Sequence, residues 1–297
     1  MKIIRSAKCS LKFSTAHKQQ QLGIILAEYG KVVNIFIRAF WSLEKLPGKT
    51  DLLKDIVDIP INDTWLSARL RKVCAREAID MISSVKNKKK GKKGMPVHKG
   101  ERMNVSCTIA DLHIGDTATK YNAWLHIQSV GNKMIMDLPI QFHKQFLKWN
   151  ALGKRLNAYI ITKNYVQFCF EIETGKKKEI NTHIGIDSGI TALASCSTGN
   201  VYGKDMSELV ARVKRCKYGS QGQKTARRAL RQRIDEITKE LITNENPDLI
   251  VVEQLKNLGH KTKDKRLLSK NIRRSIGIWN WRYWLTRLEQ QCQINRV

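Results

Sequence analysis

His183-Ile184-Gly185-Ile186-Asp187-Ser188-Gly189-Ile190 and, further along, Ile250-Val251-Val252-Glu253-Gln254-Leu255 decide how this chain is read. Each is a short apolar run of the kind a sheet strand buries, and each delivers one acid near its end. An acid inside such a run, flanked by Gly185 and Gly189, is expected to be buried and so to need a compensating partner. A divalent cation is such a partner, since Mg²⁺ takes carboxylate oxygens and leaves room for waters and phosphates. If the two strands are neighbours, Asp187 and Glu253 meet at one sheet edge. Carboxylate sets that hold ion pairs can activate water and stabilise a leaving oxygen in phosphodiester cleavage. The plainer alternative is that Asp187 caps a turn while Glu253 is a solvated strand-end acid.

Around these runs the pattern predicts three meandering strands, with His183 to Asp187 first, residues 190 to 197 second and a third after the turn Thr198-Gly199-Asn200. Residues 207 to 243 read as helical and basic, interrupted at Gly219 to Gly222, and Asn246-Pro247 breaks the helix before Leu249 to Val252. A last helix is predicted from about Ser269 to Gln290, and Gln293 to Val297 suits the start of another strand. Trp279, Trp281, Tyr283 and Trp284 recur at helical spacing and are expected to pack in a core, as are Trp41, Trp65, Trp124 and Trp149.

Upstream, residues 3 to 13 read as a strand. A long helix follows on the spacing of Leu22, Ile25, Leu26, Tyr29, Val33, Phe36, Phe40 and Leu43, and a second over 64 to 85 is capped by Asn62 or Asp63. Strands are predicted at 103 to 109, 121 to 128, 133 to 138, 157 to 162 and 165 to 172, with turns at Gly131-Asn132-Lys133 and Lys163-Asn164. Strands on both sides of a helical pair imply a small β-barrel with helices inserted over about 16–90. The expected organisation is α+β or α/β, with a first domain over 1–180 and a second over 181–297.

The chain carries 54 Lys and Arg against 26 Asp and Glu, a net charge of +28 over 297 residues. Residues 181 to 297 hold 22 basic and 11 acidic side chains, an excess of +11 that leaves +17 for the first 180. An excess so spread points to a polyanionic partner rather than a charged tail. Lys88, Lys89, Lys90, Lys92 and Lys93, in a glycine-punctuated loop, and Lys214, Arg215, Lys217, Lys224, Arg227, Arg228 and Arg231, on the basic helices, are the candidate phosphate contacts. A solvated charge run is the alternative for the loop. The absence of a long apolar run or signal-peptide core argues against membrane insertion, and seven cysteines without a Cys-x-x-Cys pair suit free, mostly buried thiols in the cytoplasm.

Gly185-Ile186-Asp187-Ser188-Gly189 and Val251-Val252-Glu253-Gln254-Leu255 resemble the first two motifs of the RuvC-like core shared by TnpB transposon proteins and compact type V CRISPR effectors. Asn257-Leu258-Gly259, the basic segment Lys261 to Lys270 and the Trp-rich stretch Ile278 to Leu285 extend that resemblance over residues 181 to 297. The resemblance implies an RNase H-like fold, Asp187 and Glu253 as catalytic ligands of Mg²⁺ or Mn²⁺, guide RNA and target DNA as partners, and DNA endonuclease activity. It also implies a zinc ribbon and a third Asp, which do not follow before Val297, so an incomplete metal site without zinc is expected. Truncation and descent to a binding-only protein are the two accounts of this. Asp187 to Thr191 also resembles the phosphate hairpin of actin-like sugar kinases and ATPases, but no second Asp-Gly loop follows.

Overall fold

A computed structural model describes residues 2–50, 52–88, 91, 93–115, 120–175, 178–253, 255 and 269–297. The chain divides into two compact units, Lys2–Glu173 and Thr174–Val297. Both mix α and β structure.

In the first unit, β1 (Lys2–Ser10) leads into α1 (Ala16–Trp41), a short helix α2 (Lys54–Val57) and α3 (Ala68–Lys86). Thr15 caps α1 by accepting from the Lys18 amide, and Leu22, Ile25, Leu26, Tyr29, Val33, Phe36 and Phe40 are buried at helical spacing. The cap of α3 is Ser67, not Asn62 or Asp63, which lie in a 3₁₀ turn that cannot continue into the helix. The Ser67 hydroxyl accepts from the Leu70 amide, and the Ser67 amide donates to Val130 in the turn where Gly131 stands at φ 124°. A Cβ on Gly131 would lie 2.1 Å from the Trp65 carbonyl oxygen, so only glycine fits this joint.

Between α1 and α3, Glu77 is buried and accepts from Tyr29 Oη at 2.6 Å. Arg102 donates to the same carboxylate at 3.3 Å, and His98 Nε2 lies 3.5 Å from it. The His98 backbone amide donates to Asn34 Oδ1 and its carbonyl accepts from Asn34 Nδ2. Residues just after the basic loop are thus fastened to the helical pair.

The remaining strands are β2 (Arg102–Ser106), β3 (Ala110–Ile114), β4 (Ala123–Ile127), β5 (Met136–Ile140), β6 (Lys154–Thr162) and β7 (Tyr165–Glu173), with α4 (Lys144–Leu152) before β6. They do not close into the expected barrel among the described residues. One sheet has the order β1-β7-β6-β2 and a separate sheet the order β3-β4-β5. Helix α4, with Phe146 and Trp149 buried, interrupts the run of strands between the two sheets and packs on β1 and β7.

The second unit contains β8 (His183–Asp187), β9 (Ala194–Cys196), β10 (Val201–Tyr202), α5 (Met206–Arg215), α6 (Gln221–Glu245), β11 (Leu249–Val252), α7 (Lys270–Ile278) and α8 (Trp281–Asn295). The sheet order is β10-β9-β8-β11, antiparallel within the meander and parallel where β11 joins β8. Leu230, Ile234, Ile237 and Leu241 of α6 form an apolar stripe that meets Ile184, Ile186, Val210, Val213, Trp284 and Leu288 in one core. Each large apolar side chain buried there contributes about 1.5–3 kcal/mol.

The predicted last helix is two helices, because the chain turns at Trp279-Asn280 with Asn280 at φ −90°, ψ 50°. The expected closing strand is not formed. Gln293 to Asn295 continue α8, and Arg296 closes it in the left-handed conformation at φ 66°. All seven cysteines are free, but only Cys9, Cys74 and Cys196 are buried. Among the described residues no helix is long and apolar enough to cross a membrane.

Candidate functional site

The register of β8 against β11 pairs His183 with Leu249, Ile184 with Ile250, Gly185 with Val251 and Ile186 with Val252. Asp187 is the last residue of β8 and Glu253 is the residue that follows β11, so continuing this register by one step would pair them. Neighbouring strands run about 4.8 Å apart, and in a parallel pair residues in register point to the same face. Burial identifies that face. Ile184 and Ile186 turn into the core against α6, whereas His183, Asp187, Leu249, Val251 and Glu253 are exposed on the other side. Asp187 and Glu253 therefore share one face at one end of the sheet.

Asp187 is exposed, not buried as its apolar run predicts, because the strand ends at this residue and its alternation points away from the core. The case for a cation consequently rests on the juxtaposition of two acids and not on charge burial. Neither carboxylate is held by a hydrogen bond or ion pair to another described residue. The adjoining Ser188 hydroxyl is buried and likewise has no partner among the described residues. Gly189 forms the tight turn after the acid, where a Cβ would lie 3.0 Å from the Ala192 carbonyl oxygen.

This donor set of hard, free oxygens fits Mg²⁺ or Mn²⁺ in part. Two carboxylates fill two of roughly six positions around Mg²⁺ and leave the rest to water and phosphate. Among the described residues no three His, Cys, Asp or Glu side chains gather into a metal cluster. His183, the nearest histidine in sequence, starts β8 and so stands about 13 Å of strand away from Asp187.

Helix α6 covers the opposite face of this sheet. Its last residue, Glu245, binds Thr198 Oγ1, Asn200 Nδ2 and Tyr202 Oη of the β9–β10 hairpin, at the His183 end. Burial alone raises the Glu245 carboxyl, but three donated hydrogen bonds outweigh it and hold the group below its ordinary value. The Tyr202 phenol is pushed up to about 12 by burial and then by the Glu245 charge. Counting back from Glu245 at about 1.5 Å per residue, Arg231, Arg228 and Lys224 lie about 21 to 32 Å along the helix, at and beyond the acid end of the sheet.

Lys224, Arg228 and Arg231 are exposed at spacings of four and three, so they line one side of α6, with Arg227 half-buried beside them. Arg231 also stands 5.5 Å over the Tyr283 ring. Arg215 and Lys217 are exposed at the end of α5, while Lys214 turns inward and donates to Ser275 Oγ at 3.1 Å. Lys214 thus serves α5–α7 packing, whereas Arg215, Lys217, Lys224, Arg228 and Arg231 are on the surface. Trp279 and Trp284 are buried in the core as their spacing predicts, with Trp281 and Tyr283 packed at its margin.

Lys88 and Lys93 are exposed in the first unit. Lys89, Lys90, Lys92, the motif residue Gln254, Asn257-Leu258-Gly259 and the basic segment through Leu268 lie outside the described residues. No protein-family model and no curated protein matches the chain.

Proposed function

We propose that this protein binds RNA and DNA as a member of the TnpB and type V effector lineage, with Asp187 and Glu253 as two carboxylates of a RuvC-like, divalent-metal phosphodiesterase centre. The observation that carries the reading is the parallel β8–β11 register, whose continuation by one step would pair the two acids on one face. Support also comes from the sheet order, a three-stranded meander whose first strand is joined in parallel by a fourth, which is how an RNase H-like sheet is built up.

A bound Mg²⁺ or Mn²⁺ pair supplies an activated water and charge stabilisation at the leaving oxygen, a chemistry that calls for three or four carboxylates. Asp187 and Glu253 supply two. Lys224, Arg228 and Arg231, with Arg215 and Lys217, neutralise phosphates and position the polymer without reading its sequence. Guide pairing then carries the sequence choice, as the lineage implies.

The test is equilibrium binding of a structured RNA, and of DNA in its presence, across a series of salt concentrations. About five phosphate contacts give a slope of log K against log salt near −4. A flat response removes the electrostatic premise. Cleavage assayed in Mg²⁺ separates nuclease from binder: cutting abolished in both Asp187→Ala and Glu253→Ala supports the centre, whereas cutting that survives both substitutions places the chemistry elsewhere. Firm binding with no cutting leaves a nucleic-acid binder.

A further inference from the structure

The exposed face of the β3-β4-β5 sheet carries chemistry that the acid pair does not use. Along β3, Ala110 and Leu112 are buried while Asp111 and His113 are exposed; along β4, Trp124 and His126 take the same outer side; on β5, Asp137 does. The register pairs Asp111 with His126 and His126 with Asp137, and pairs His113 with Trp124. Lys18 reaches over from α1, and together these side chains line an open cavity of about 750 Å³ with Gln128 at its edge.

The hydrogen bonding within this cavity is directional. His126 Nδ1 lies 2.7 Å from Asp137 Oδ1. An ionised carboxylate can only accept, so the Nδ1 hydrogen is directed at Asp137 and, in the neutral ring, Nε2 is the nitrogen that carries the lone pair. His113 Nε2 lies 3.7 Å from Asp111 Oδ2, a counter-charge for that ring whenever it carries a second proton. The two rings meet edge to face with centroids 5.8 Å apart. The Lys18 ammonium donates to the Asp137 carbonyl and stands 5.5 Å over the Trp124 ring. Each imidazole is matched to one carboxylate, and no three such donors gather among the described residues for a metal ion. The pairing suits proton transfer better than coordination.

We propose that this face is a metal-independent cleavage site for single-stranded RNA, with His126 as general base and His113 as general acid. The proposal rests on the RNA-binding reading above and adds a second activity to it. His126 Nε2 takes the proton of a ribose 2′-hydroxyl, and the 2′-oxygen forms a bond to the adjacent phosphorus. The bond from phosphorus to the 5′-oxygen breaks, and the proton on His113 passes to that oxygen. The products are a 2′,3′-cyclic phosphate and a 5′-hydroxyl, and no oxidant, metal or water is consumed. Asp137 orients His126 and is a positioning residue. Lys18 faces the charge that develops on the non-bridging oxygens.

The experiment incubates the full chain, in excess EDTA, with a 5′-labelled single-stranded RNA and with the same RNA carrying one 2′-deoxy position. Cleavage to 2′,3′-cyclic ends is expected, absent at the deoxy position and lowered at least about 100-fold in His113→Ala and in His126→Ala. Added imidazole restores part of the loss in His126→Ala, which a purely structural role does not predict. Circular dichroism of the two histidine variants, whose sites lie on the surface, checks that they fold. RNA bound normally but uncut in EDTA, or cut equally by the His113→Ala/His126→Ala double variant, overturns the site while leaving the binding reading intact. Failure to bind RNA at all removes both.

Discussion

Glu77 shows how a single buried charge is held in this protein. Burial by itself raises its carboxyl, but His98, Tyr29 and Arg102 favour the ionised form and leave it below its ordinary value. Glu77→Ala orphans Tyr29 Oη and His98 in the interior, while Arg102, half-exposed, finds water. The expected cost is about 3 kcal/mol, read from denaturant unfolding, and Glu77→Gln, which keeps an acceptor for Tyr29, is expected to cost less. Asp187 and Glu253 behave in the opposite way. Both are exposed and have no partner among the described residues, so Asp187→Ala and Glu253→Ala are expected to move stability by less than about 0.5 kcal/mol. Each is also expected to weaken Mn²⁺ binding about tenfold or more, followed by electron paramagnetic resonance. A large stability loss without a change in Mn²⁺ binding contradicts the metal reading. Both acids were visible in the sequence as isolated charges on apolar runs. The imidazole pair was less so: Asp111-x-His113 and Trp124-x-His126 alternate as strand residues do, but only cross-strand register shows that they share a cavity.

Among the elements, the long helices are the most legible, because their apolar spacing repeats over many turns. Helix α1 buries its predicted stripe as far as Phe40, while Leu43 lies beyond its end and is exposed, and α6 stops as predicted at Asn246, which takes a left-handed conformation at φ 39°. Short elements escape this reading. The strand β3 presents too few apolar positions for a period to emerge, and the nine-residue helix α4 is not among the predicted elements although Phe142, Phe146 and Trp149 recur at helical spacing. Helix α6 is tied to α8 where Asp235 accepts from Tyr283 Oη at 2.9 Å and Arg287 Nε at 2.6 Å, so its exposed cations are mounted on a braced rod. Lys224→Glu with Arg228→Glu is therefore expected to leave the fold intact. The pair should weaken nucleic-acid binding more than tenfold and make the salt slope shallower by about 2, measured by fluorescence anisotropy. An unchanged slope places the phosphates elsewhere.

Across the described residues of the molecule, three carboxylates titrate below their ordinary values. Glu77 and Glu245 are held down against their burial by donated hydrogen bonds, and Asp248 chiefly by the backbone amide of Thr182, which clamps the start of β11 to β8. A depressed carboxyl contributes stability that is fully present above its unfolded value, about 4, and is lost as pH falls through the folded value. Protonating acids also adds to a net charge already at +28. The melting temperature is thus expected to fall steeply from about pH 5 to pH 3, and to fall less steeply in Glu77→Gln. A flat profile over that range contradicts these assignments.

Composition, period and charge are local or additive properties, so the sequence by itself determined the long helices α1, α3 and α6, the strongly basic character, and which two acids stand at the ends of apolar runs. Which strand lies beside which is a property of long-range pairing. Only the tertiary structure therefore decided that the first unit holds two sheets instead of a barrel, and that β11 joins β8 in parallel with Asp187 and Glu253 on one face. It also decided that Asp187 is exposed, because alternation says that faces differ but not which face the core will cover.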